Sequence, residues 1–150
     1  MSVRCTLDAG EAPEVDSAAL ERAAAAALAH GGQPERCLEV VVITDEALAE
    51  LHGRFLGDDS PTDVMAFDLG EEEEGPSGEV YVSLDMARRV AAERGVPLAR
   101  ELALYVVHGC LHLCGHDDHE EEDRRAMRAA ERAVLDALGF GADDAPHDRG

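Results

Sequence analysis

The stretch Leu98-Ala-Arg-Glu-Leu-Ala-Leu-Tyr-Val-Val-His108-Gly-Cys-Leu-His112-Leu-Cys-Gly115-His116-Asp117-Asp118-His119 decides how the rest of the chain reads. Its apolar run predicts a helix that Pro97 begins and Gly115 stops, because glycine tolerates the backbone reversal that ends a helix. His108 and His112 stand one turn apart on it. A spacing of four places two side chains about 40° apart around the axis, on one face. A lone histidine on an apolar face is ordinarily a core residue. Two at this spacing, followed by a glycine break and then His116, Asp117, Asp118 and His119, point instead to a shared metal ion of the open, catalytic kind.

Outward from this helix the chain alternates element types. Residues 2 to 7 alternate weakly and predict an edge strand. An alanine-rich helix is expected from about Asp16 to His30, stopped by Gly31-Gly32. The β-branched run Cys37 to Ile43 predicts a buried strand. Thr44 or Asp45 would cap a helix to about Phe55, with a turn at Gly57 to Pro61. Val64 to Phe67 and Gly78 to Ser83 read as strands on either side of an acidic loop, Glu71 to Ser77. Asp85 to Arg94 is helical and ends at Gly95. A last helix, about Glu120 to Leu138, places Ala126, Ala130, Val134 and Leu138 on one stripe. Strands early and helices late give an α+β fold, a mixed α/β sandwich. We expect a small, mostly parallel mixed sheet of about four strands with about five helices around it. Residues 1–140 form one domain in this reading, and 141–150 a disordered tail.

Composition narrows the function. The net charge is −20, and all 13 basic residues are arginine. Nucleic-acid binders usually carry a basic footprint in bulk, which is lacking here, so DNA is not an expected partner. No apolar run is long enough to span a bilayer and no leader-like segment is seen, so no membrane is expected and the cytoplasm is the expected location. In that compartment Cys5, Cys37, Cys110 and Cys114 would not form disulfides. Cys110 and Cys114 each lie two residues past a histidine, about 200° around the helix, and read as small core residues rather than ligands.

The third ligand stays open on spacing alone. Extended zinc motifs place it ten residues past the first histidine, which is Asp118, with His119 the alternative. Asp118 is favoured on register; its other reading is the N-cap of the last helix, with Glu121 completing a capping box. Zinc peptidases place a glutamate directly after the first histidine as general base; here that residue is Gly109. Glycine inside a helix costs about 1 kcal/mol relative to alanine, which suggests a close approach at that point.

These residues resemble a known family, the YbeY-type rRNA maturation endoribonucleases. Its signature His-Gly-x-Leu-His-Leu-x-Gly-Tyr-Asp-His is matched by His108-Gly-Cys-Leu-His112-Leu-Cys-Gly115-His116-Asp117-Asp118. Pro61-Thr62-Asp63-Val64-Met65-Ala66-Phe67 is similar to its Pro-Thr-Asp/Asn-Val-Leu-Ser-Phe. Gly78-Glu79-Val80-Tyr81-Val82-Ser83 resembles its Gly-Asp-Ile-x-Ile-Ser strand. The matches come in the family's order, across roughly Val40 to Leu138. Two positions depart from it. The family's last histidine falls on Asp118, and a frequent arginine before the middle motif falls on Leu56, with Arg54 two residues earlier.

The resemblance implies a metal-dependent, single-strand endoribonuclease acting on the 3′ end of small-subunit rRNA, with the small ribosomal subunit as partner. One Zn2+ per chain would be held by His108, His112 and Asp118 (or His119), with a metal-bound water as attacking group. An Asp ligand would admit other divalent metals. Asp117 is a candidate for catalysis, and Arg54, Arg88 and Arg89 are candidates for the RNA backbone. The alternatives are a non-catalytic ribosome-assembly factor with a structural metal, or a zinc peptidase or amidase.

Overall fold

The β-branched segment Leu38-Glu-Val-Val-Val-Ile43 forms the central strand around which the molecule is laid out. A computed structural model describes residues 3–10, 12–56, 64–69, 77–116 and 120–140. Among them the order is β1 (Val3–Asp8), α1 (Ser17–His30), β2 (Leu38–Ile43), α2 (Asp45–Leu56), β3 (Val64–Asp68), β4 (Gly78–Ser83), α3 (Leu84–Arg94), α4 (Leu98–Leu113) and α5 (Glu121–Ala137). The strands make a four-stranded sheet ordered β1-β2-β4-β3. The first three are parallel, with Val3 opposite Leu38 and Leu38 opposite Gly78. β3 closes the far edge antiparallel to β4, with Val64 opposite Val82. The fold is the α+β arrangement expected from sequence, and β1 is an edge strand as anticipated.

Strand alternation sends side chains to two faces. Val40, Val42, Val80 and Val82 point into the main core under α1, α3, α4 and α5. On the other face a smaller cluster of Ile43, Leu48 and Met65 packs with Phe67 and Tyr81 beneath α2. The alanines of α1 let it lie close to the core: Ala23, Ala24, Ala27 and Leu28 are buried.

Local signals set the boundaries. The Asp16 carboxylate accepts the Ala19 N–H at the start of α1, and Thr44 Oγ1 accepts that of Ala47 at the start of α2. Ser83 does the same for Met86 and starts α3 one residue earlier than expected. The last helix settles one alternative and shifts the expected stripe. Its N-cap is Glu120, with no side-chain capping bond, so the cap does not fall on Asp118. Of the expected stripe Ala130 and Val134 are buried and Leu138 packs against the core, but Ala126 is exposed and Met127, Glu131 and Leu135 join the buried face instead. The helix is rotated because Met127 and Leu135 bury more apolar surface than alanine would. Gly57 to Pro61, most of the acidic loop and residues 141–150 lie outside the described residues.

Candidate metal centre

α4 runs through the middle of the molecule, and from Arg100 to Leu111 every residue is buried. Gly109 explains how it lies so close to the sheet. A Cβ there would come within 2.7 Å of Val80 Cγ1 and 3.2 Å of Val64 Cγ2. At its C-terminal end, Gly115 takes φ +102°. The His116 N–H reaches back to the Leu111 carbonyl (3.0 Å) and the Gly115 N–H to that of His112 (3.1 Å), the paired bonds of a Schellman stop. The reversal expected at Gly115 is therefore present. Arg36 braces this end: its guanidinium donates to the Leu113 carbonyl (3.4 Å), the Ser77 carbonyl (2.9 Å) and Asp68 (2.7 Å).

His108 and His112 project from one face of α4, as their spacing requires. His108 is 9% exposed, whereas His112 is exposed to solvent. Their ring centres are 5.4 Å apart and their planes meet at 73°. Two imidazoles sharing one tetrahedral ion through metal–nitrogen bonds of about 2.0–2.1 Å have centres roughly 5 Å apart. The observed separation is close to that value. Among the described residues no group of three His, Cys, Asp or Glu side chains is placed to hold a metal. Asp117, Asp118 and His119, from which sequence draws the third donor, lie outside those residues, as do Thr62 and Asp63 of the middle motif.

The structure adds a residue that sequence reasoning missed. His108 Nδ1 lies 2.6 Å from Glu131 Oε2, across the α4–α5 contact. Glu131 is 4% exposed, on the apolar side of α5. The available signal was a carboxylate four residues after Met127 and three before Val134, inside a helical apolar stripe. A stripe drawn through Ala126 hides it.

The other candidates lie elsewhere. Arg54 is exposed in the last turn of α2, over the opposite face of the sheet. Arg88 pairs with Glu14 and Arg89 with Asp45 at 2.7 Å. The hydrogen bond from Arg88 holds the Glu14 carboxyl below its ordinary range. Cys110 is buried, and burial pushes its thiol far above the ordinary range. Cys114 packs on Gly31, where a Cβ would meet its Sγ at 2.5 Å. Both thiols thus sit in packing positions, and all four cysteines are unpaired by disulfides.

Fold and site together define an α+β domain with a histidine pair on its central helix, one ring buried against a carboxylate and the other open to solvent. A family model described as endoribonuclease YbeY matches residues 8–139. The endoribonuclease YbeY of Chloroflexus aggregans is 43% identical over 138 residues, covering 84% of this chain and 90% of its own. That of Bacillus licheniformis is 32% identical over 147 residues, covering 90% and 93% respectively. The solution structure of TM1509 from Thermotoga maritima is similar at a TM-score of 0.61 and 26% identity, across 98% of this chain and 99% of that one. The chain belongs to the endoribonuclease YbeY family.

Proposed function

We propose that this chain is a metal-dependent endoribonuclease that cuts single-stranded RNA during maturation of the small-subunit rRNA 3′ end, in the cytoplasm and in association with the small ribosomal subunit. The observation that carries the reading is the His108–His112 pair with its rings 5.4 Å apart, set in a chain that matches the endoribonuclease family from residue 8 to residue 139.

Zinc is the proposed resident ion, held by His108, His112 and Asp118, with His119 the alternative third donor. An aspartate donor is harder than imidazole and widens the choice to other divalent metals. When bound, such an ion supplies Lewis acidity toward a phosphodiester and activates water. The protein's own contribution is placement. Burial holds His108 in one position, while the exposed His112 keeps the ion's side of α4 within reach of a polymer. Arg54, Arg88 and Arg89 are the cations proposed for the RNA backbone, and Asp117 the nearby candidate for handling a proton.

Gly109 speaks against a peptidase. The glutamate that such enzymes carry after the first histidine would be driven into Val80 and Val64. The deciding experiment replaces His108 and His112 singly by alanine, then measures metal by elemental analysis and cleavage of single-stranded RNA. Loss of both together is expected. Metal-free His108→Ala protein that cleaves RNA as well as the parent refutes the catalytic role. A parent protein that holds metal without cleaving RNA indicates an assembly factor.

A further inference from the structure

We propose that Glu131 is the positioning residue for His108. It holds the neutral imidazole in the tautomer with hydrogen on Nδ1, so that Nε2 is the nitrogen offered to an ion. This role presupposes the divalent ion proposed above, but the tautomer itself does not.

The inference starts from the acceptor. His108 Nδ1 and Glu131 Oε2 are 2.6 Å apart, a hydrogen-bond distance, and a carboxylate in its ionised form can only accept, which assigns the proton of this contact to Nδ1. A neutral histidine has one ring N–H. Placing it on Nδ1 leaves Nε2 as the lone-pair nitrogen. Ligating histidines commonly make this arrangement with an outer carboxylate, which orients the ring and raises its basicity toward the metal.

Two further observations separate this role from simple packing. Glu131 occupies the apolar stripe of α5 between Met127 and Val134, where a leucine would bury more apolar surface. A carboxylate there is unfavourable unless a donor satisfies it, and His108 is the donor at hydrogen-bond distance. The two residues also come from different helices, 23 positions apart. Ring orientation at His108 is thereby tied to the docking of α5 on α4, and α5 follows directly on the segment expected to hold the third ligand. His112 lies one turn on and is exposed.

The test begins with unaltered, metal-free protein. Nitrogen-15 spectra of the histidine rings should show His108 protonated on Nδ1; protonation on Nε2 overturns the proposal without any variant. Glu131→Leu should then lose the Nδ1–H preference, and its zinc affinity, read by competition with a chromophoric chelator, should fall about 10- to 100-fold. Glu131→Gln keeps an acceptor oxygen and should restore the tautomer, with zinc affinity within about tenfold of the parent. Unchanged His108 nitrogen shifts or unchanged zinc affinity in Glu131→Leu would show that the carboxylate only packs. Zinc binding that survives His108→Ala would instead bring down the metal reading, while the tautomer measurement still judged Glu131.

Discussion

Two parts of this molecule pair a nitrogen donor with a carboxylate, and they behave differently. At the α4–α5 contact the side chains of His108 and Glu131 meet while 11% and 5% exposed. Along α3, the side chains of Arg88 and Glu14 are 45% and 39% exposed, and those of Arg89 and Asp45 are 52% and 32% exposed. Burial removes water as a competitor, so the first pair has one geometry, and breaking it strands a polar group. Solvent and salt screen the second set, which therefore contributes little and exchanges readily. The buried pair suits positioning. The exposed arginines suit transient contact with phosphates, because releasing their present partners is easy.

The sharpest way to break this contrast is His108→Ala. If the buried pair organises the ion, zinc stoichiometry collapses. RNA cleavage should fall on the order of 10³-fold, the several kcal/mol that a Lewis acid supplies. Elemental analysis and single-turnover cleavage assays read the two effects separately. Gly109→Ala comes next. Its new methyl meets the stiff, β-branched Val80 at 2.7 Å. Overpacking of about 1–3 kcal/mol should exceed the ~1 kcal/mol that alanine gains in a helix. A melting temperature lowered by a few degrees in the metal-free protein is expected, and a raised one would show that α4 can lift off the sheet.

A smaller effect should follow at the exposed pairs. Replacing Arg88 and Arg89 together by alanine should leave thermal melting nearly unchanged. If they touch RNA phosphates, the slope of log affinity against log salt should drop by about one per contact. An unchanged slope removes them from the RNA surface. The mildest change is Glu120→Ser, which supplies the capping acceptor that α5 lacks. A gain of about 0.5–1 kcal/mol in denaturant unfolding is expected, with no change at His108.

What was legible in advance divides along the same line. The stop at Gly115, the cap at Thr44, and the strand expected over Cys37 to Ile43 and found over Leu38–Ile43 depend on neighbours within a few positions, so their residue types announced them. Gly109 flagged a close approach, but only packing named Val80 and Val64 as what approaches. The last helix was placed correctly along the chain, and around its axis Ala130 and Val134 were placed rightly and Ala126 wrongly. Alanine counts as apolar in a periodicity while burying little, so Ala126 and Met127 competed for the stripe and tertiary contact chose Met127.

The order of residues by itself determined the helix that carries His108 and His112, their shared face and the family signature, because a helix repeats over four residues and spacing becomes direction. Tertiary structure alone decided that β3 lies outside β4, that Arg36 braces the end of α4, and that Glu131 meets His108. Those contacts join segments far apart in the chain, and which of them form depends on how whole helices dock to bury apolar surface.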